Sequence, residues 1–196
     1  MFAATQVMRM DEYEEVVEVY VDEGDDDDGK DLPDGESGEI YMNMNDLSDF
    51  TYHNKDDKRV EIEREGLVTN GDVGYLDPDG YLFLNDRKRD MIISGGVNIY
   101  PAEIEAALQG MPGVQDCAVF GIPHDEFGES IAAAIESQPG VSLTPDAVKD
   151  YLRDHISAYK VPREVTFHDA MPREDTGKIF KRKLRQPYWE RAGRQI

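Results

Sequence analysis

The sequence predicts an α+β protein, β-rich in its first half and mixed in its second, and three stretches carry that expectation. The first is "GYLDPDGYLFL", where Asp77, Pro78, Asp79 and Gly80 separate two apolar alternating runs. Proline presets one turn position and glycine accepts positive φ, which is hairpin chemistry. The second is "YPAEIEAALQG", with Pro101 in a first helical turn, Ile104 and Leu108 on one face, and Gly110 as terminator. The third is "TPDAVKDYLRDHI", where Thr144 serves as N-cap and Val148, Leu152 and Ile156 recur at a spacing of four.

In chain order, "EEVVEVYV" and "GESGEIYM" alternate weakly and read as two strands joined by a polar, acidic connection. Its "DDDD" run is a solvated loop tip, because a calcium loop needs spaced ligands and a closing glutamate that are absent. After the hairpin, "MIISGG" provides a short apolar strand and a Ser-Gly-Gly turn leading to the helix at Pro101. "QDCAVFGI" and "ESIAAAIES" follow as apolar segments. Alanine content allows a helix for the second, but its brevity and the glycine on each side favour a strand. Residues 161–196 read as loop-rich with one short helix from about Lys181.

Composition narrows the class. With 196 residues and 39% hydrophobic content, the chain can pack a core as one domain or two small ones. No apolar run reaches the roughly 18 residues of a membrane span. The N-terminus lacks the charged-then-apolar order of a signal peptide, so a cytoplasmic location is expected. Cys117 is the only cysteine, so neither an intramolecular disulfide nor a thiol metal cluster can form, and no metal site is expected. Its place in "DCAVFGI" favours a buried small hydrophobe over a reactive thiol. The net charge of -21 repels nucleic acid and anionic membrane, confining any such contact to the basic tail. Nucleic acid is therefore not an expected partner.

That tail, "PREDTGKIFKRKLR" at residues 172–185, is where cations dominate. Gly177-Lys178 echoes the end of a phosphate loop, yet Pro172 and Ile179 stand where a Walker loop needs its first glycine and its Ser or Thr. Lys178 must be presented in another way.

Three stretches, "NGDVGYLDPDGYLFLNDRKRDMIISGGVNIYPAEIE", "GIPHDEFGE" and "KVPREVTFHDAMPREDTGKIFKRKLR", occur in the order and spacing of the adenylate-forming ligases. Residues 35–185 resemble that superfamily of acyl-CoA synthetases, luciferases and adenylation domains. The Ser-Gly-Gly-x-Asn-Ile-Tyr-Pro wording and "LRQPYWE" look most like fatty or aromatic acyl-CoA synthetases. The fold so implied is a small mixed β-region followed by a C-terminal α+β domain with a short, mostly antiparallel sheet and flanking helices. The boundary implied is 1–88 for the end of the large N-terminal domain and 89–196 for the mobile C-terminal domain.

The resemblance also implies roles. Asp72 matches the aspartate that binds the ribose hydroxyls of ATP, and a carboxylate suits a vicinal diol because it accepts two hydrogen bonds. The plain alternative is a turn-capping Asp. Arg87 matches the arginine that also reaches the ribose, and Arg89 stands at the hinge, where most relatives carry Asp or Lys. Lys178 matches the lysine that contacts the carboxylate and α-phosphate during adenylation, with Thr176 and Gly177 making the turn that projects it. Gly96, with Gly95 beside it, matches the glycine past which the pantetheine arm of CoA enters. The cluster Lys181, Arg182, Lys183 and Arg185 reads as a solvated helix face in preference to a CoA phosphate site.

The Gly, Ser and Thr-rich phosphate loop and the Tyr-Gly-x-Thr-Glu stretch of the superfamily do not occur, and "GLVTNGD" carries Leu67 and Asn70 in place of the usual residues. The expectation is a C-terminal fragment of an AMP-forming acyl-CoA synthetase, inactive alone. It would work with an N-terminal adenylation domain on ATP as its magnesium complex, a carboxylic acid and CoA, none held tightly by the fragment. The alternative is a stand-alone binding or regulatory module that kept the fold and lost the reaction.

An acidic excess spread along the whole sequence also fits a protein adapted to high salt, where screening removes self-repulsion. The melting temperature is accordingly expected to rise between dilute buffer and molar potassium chloride. A fall over that range, measured by thermal unfolding, contradicts halophilic adaptation.

Overall fold

The computed structural model describes residues 7–9, 19–22, 32–43, 53, 56–64 and 66–194. They divide into two compact units, one within Phe2–Arg89 and the other within Asp90–Ile196. The "DDDD" tip lies outside the described residues.

The first unit contains β1 (Val7–Arg9), β2 (Val19–Asp22), β3 (Gly38–Asn43), the short helix α1 (Asp56–Glu61), β4 (Glu63–Arg64), β5 (Leu67–Leu76) and β6 (Tyr81–Arg87). Its sheet runs β1-β6-β5-β3-β2 with β4 on β5, antiparallel at every pairing. The expected hairpin is β5–β6. Gly80 N donates to Asp77 O at 3.0 Å, and the Asp77 carboxylate accepts from Asp79 N and Tyr81 N, so one side chain closes the turn from within. Tyr75 and Phe83, directly paired across the strands, stack at 4.9 Å between centroids. Ile40 and Leu82 form a small core with Leu32, Met42, Leu76 and Leu84 against it.

The second unit contains β7 (Ile92–Ser94), β8 (Val97–Ile99), α2 (Pro101–Gln109), β9 (Val114–His124), β10 (Gly128–Ser137), α3 (Pro145–Arg153), β11 (Glu164–His168) and α4 (Lys181–Arg191). The sheet runs β11-β10-β7-β8 with β9 on the free side of β10, and β10–β11 is its one parallel pair. The long β9–β10 ribbon is apolar on both faces. Cys117, Val119, Ile131, Ala133 and Ile135 meet Ile104 and Leu108 of α2 and Val148 and Leu152 of α3. Ala118, Phe120, Ile122, Ala132 and Ala134, on the other face, meet Met171, Ile179 and, on α4, Leu184 and Tyr188. The indole N–H of Trp189 on α4 donates to Gly121 O on β9 at 3.1 Å.

"ESIAAAIES" is a strand, as its flanking glycines favoured, and Thr144 caps α3 by accepting from Ala147 N at 3.2 Å. Gly110 terminates α2, in a right-handed conformation with φ -76°. Two details differ from the sequence expectations. Helix α3 ends at Arg153, leaving Ile156 past its end, though still packed against the core. Residues 161–196 are not only loop and helix, because Glu164–His168 forms β11, lying parallel to β10 after the α3 crossover. Its short alternation gains a partner only through that long-range return.

Cys117 is 4% exposed, and burial, reinforced by the charges of Glu105 and Asp116, pushes its thiol up to about 12. The folded value is raised, so the linked stability is complete below the ordinary thiol range and is lost as pH rises towards 12. At pH 8.5 the folded chain is expected to resist iodoacetamide over hours and to react within minutes in concentrated urea. Rapid stoichiometric alkylation without denaturant refutes this burial.

Candidate functional site

In the first unit the structure brings Asp72 and Arg87 together. They are register partners on β5 and β6, with Arg87 Nε 3.5 Å from Asp72 Oδ1. Asn70 Nδ2 donates to the other carboxylate oxygen at 2.8 Å, and Asp72 N returns a bond to Asn70 Oδ1. This stretch of β5 is held by Glu39, 7% exposed, which accepts from Thr69 Oγ1 and Lys88 Nζ, both at 3.0 Å. Thr69 Oγ1 in turn accepts from Gly71 N. Asp72 is therefore an oriented, partly exposed carboxylate beside a guanidinium, suited to accept from a diol. Arg89 lies in a short 3-10 turn, Lys88–Asp90, at the junction of the two units.

In the second unit, Gly95 and Gly96 form the exposed turn between β7 and β8, with φ of +61° and +81°. Gly95 N donates to Phe127 O, Ser94 Oγ to Glu129 O, and the Glu129 carboxylate accepts from Ile93 N, so the turn is sewn to the start of β10. Beside it opens a groove of about 640 Å³ whose walls include Gly95, Phe127, Lys149, Arg153, Tyr159 and Arg163. Arg163 lies 4.8 Å over the Phe127 ring and its NH1 is 3.0 Å from His124 Nε2. Lys149 donates to Arg163 O at 2.6 Å and Arg153 pairs with Asp150, and three cations on the wall of a partly apolar groove suit a ligand with phosphates and an apolar arm. The cations at 181–185 read from sequence as a solvated helix face in preference to a phosphate site. There Lys181 is engaged by Glu105 at 2.8 Å. The readable signal was Lys149 and Arg153, four apart on α3 and so on one face, with Arg163 brought in by the return to β11.

Lys178 is presented by a hairpin. Gly177 N donates to Glu174 O and Glu174 N to Lys178 O, both at 2.8 Å, and Arg173 bridges antiparallel to Ile179. Gly177 has φ +83°, the left-handed conformation that turns the chain so that Lys178 follows at an exposed edge. This hairpin abuts the Asp116 end of β9, through Arg173, whereas the Gly95 turn abuts the end carrying His124 and Gly128. From Asp116 to His124 the strand spans roughly 25 Å at about 3.3 Å per residue. The lysine and the glycine turn therefore stand at opposite ends of the β9–β10 ribbon.

Residues 103–178 match the model of the AMP-binding enzyme C-terminal domain. A fatty acid–acyl-carrier-protein ligase, ScoC, of Streptomyces coeruleorubidus is 36% identical over 87% of this chain and 33% of its own length. A feruloyl-CoA synthase of an Amycolatopsis species is 40% identical over 82% of this chain and 32% of its own length. Among solved structures, ATP-bound MatB from Rhodopseudomonas palustris superposes with a TM-score of 0.79 at 32% identity, covering 88% of this chain and 34% of that one. The chain thus spans about a third of the length of the relatives it matches. By sequence and fold, it belongs to the adenylate-forming superfamily and corresponds to its C-terminal portion.

Proposed function

We propose that this chain supplies the C-terminal working parts of an AMP-forming acyl-CoA synthetase, which activates a carboxylic acid with ATP and passes the acyl group to CoA. The observation that carries the reading is the separation of Lys178 from the Gly95–Gly96 turn along the β9–β10 ribbon. One reacting carbon cannot meet both ends of a 25 Å strand at once, at about 3.3 Å per residue. The second unit must therefore present them in turn, pivoting at Arg89.

In the first half-reaction the carboxylate of the acid attacks the α-phosphorus of ATP and pyrophosphate leaves. Lys178, a compact cation, offsets the charge shared between carboxylate and α-phosphate. Asp72 and Arg87 hold the ribose. In the second half, the CoA thiol attacks the acyl carbon and AMP leaves. The arm of CoA passes over Gly96, where a side chain would obstruct it, and Lys149, Arg153 and Arg163 hold its phosphates in the adjoining groove. The phosphate loop and acid pocket belong to an N-terminal domain, the partner this reading requires. The acyl donors named for the relatives support a carboxylic acid as substrate class.

The chain alone is expected to release no pyrophosphate from ATP with any carboxylic acid, and release by the purified chain overturns that expectation. Joined to an N-terminal domain, Lys178→Ala is expected to slow adenylate formation by roughly a hundredfold or more, the loss seen when one well-placed electrostatic donor is removed. Thioester formation from supplied acyl-adenylate stays within about twofold. Gly96→Leu does the reverse. Pyrophosphate exchange and CoA consumption follow the two halves separately, and equal damage to both by either substitution removes the alternation.

A further inference from the structure

The Lys178 hairpin is mounted on the sheet by three charged side chains that the reading above does not use. Arg173 donates from NH1 to Gly177 O at 3.0 Å and from NH2 to Asp116 Oδ2 at 2.5 Å. One guanidinium thus ties the carbonyl immediately before Lys178 to a carboxylate on β9. The second oxygen of Asp116 accepts from Cys117 N at 2.9 Å, which fixes the carboxylate on its own strand. Directly across the ribbon, the register partner of Asp116 is Glu136, 8% exposed. Its Oε2 accepts from Met171 N at 2.9 Å and its Oε1 from Gln115 Nε2 at 2.6 Å. Paired residues of an antiparallel ladder point to the same face, so two neighbouring carboxylates grip one segment at both its entry and its tip.

The geometry points to Asp116, Arg173 and Glu136 as positioning residues for Lys178. This rests on the adenylation role given to that lysine. Its physical need is plain: Lys has a flexible four-carbon stem, and a point charge on an exposed turn gains precision only if its backbone is held. Arginine suits the bridge because its planar fork donates to two different acceptors at once, which an ammonium cannot do with the same rigidity. The pair is partly exposed, Arg173 at 43% and Asp116 at 26%, so its value lies in geometry more than in stability.

The test uses the chain joined to its N-terminal domain, with Arg173→Ala, Arg173→Lys, Asp116→Ala and the double Ala variant beside Lys178→Ala. Arg173→Ala is expected to lower the adenylation rate about tenfold or more, as a displacement near 1 Å does at a reacting centre, and to leave thioester formation from supplied acyl-adenylate within about twofold. Arg173→Lys recovers part of the loss. The double variant is no worse than Arg173→Ala alone, because Asp116 acts through Arg173. In this chain by itself, hydrogen exchange at the amides of Glu174 and Gly177 accelerates in Arg173→Ala while β9 and β10 keep their protection. Equal loss in both half-reactions, additive single effects, or unchanged exchange in the hairpin overturns the proposal. If Lys178→Ala also spares adenylation, the role of the lysine falls with it. If Lys178→Ala is slow and Arg173→Ala is not, the mount alone is wrong.

Discussion

The second unit depends on the pairing of β9 with β10. Ten residue pairs run from Gly128 opposite His124 to Ser137 opposite Val114, and nearly all of the ribbon between its ends is buried on both faces. A strand pair covered on both sides needs apolar residues at every position instead of every second one. That requirement accounts for "CAVFGI" and "IAAAIE". The alanines at 132, 133 and 134 admit close approach by β11 and by the layers above and below. At the same time the ribbon acts as a ruler, with α2 and α3 on one face, α4 on the other, and each functional turn tied to one end.

A carboxylate takes part in holding the turn at each end of the ribbon. At the Gly95 end one bond is backbone to backbone, Gly95 N to Phe127 O, and two use a side chain, Ser94 Oγ to Glu129 O and Ile93 N to the Glu129 carboxylate. At the other end charged side chains do the holding, since Asp116 and Glu136 both reach the segment that leads to Lys178. The first unit also uses a buried carboxylate, Glu39, which holds Thr69 in the stretch of β5 that carries Asp72.

Much of this was legible from the residues. The hairpin at 77–80, the helices opening at Pro101 and after Thr144, and the strand at 128–137 follow from turn formers, first-turn prolines, one N-cap and flanking glycines that act locally. Lys178, Gly96, Asp72 and Arg87 stood out because short motifs surround them. What escaped is long-range. Asp116 and Arg173 are 57 residues apart, and neither has a local pattern that announces the other. Strand β11 has five residues of modest alternation and becomes a strand by lying along β10 after an intervening helix. Lys149, Arg153 and Arg163 form a cationic wall only once α3 and the approach to β11 are folded beside the Gly95 turn.

The chain has one tryptophan, and its position gives the molecule an optical gauge. Trp189 lies on α4 with its indole N–H on the carbonyl of Gly121, next to Ile122 in the layer that α4 covers. Helix α4 also contains Pro187, which removes one backbone donor and leaves the side-chain contacts to keep the helix on the sheet. Loss of that docking would hydrate the indole and shift its emission to longer wavelength. Because α4 follows directly on the hairpin that carries Lys178, the intrinsic fluorescence of this single residue reports, without any label, whether the terminal layer behind the lysine is seated.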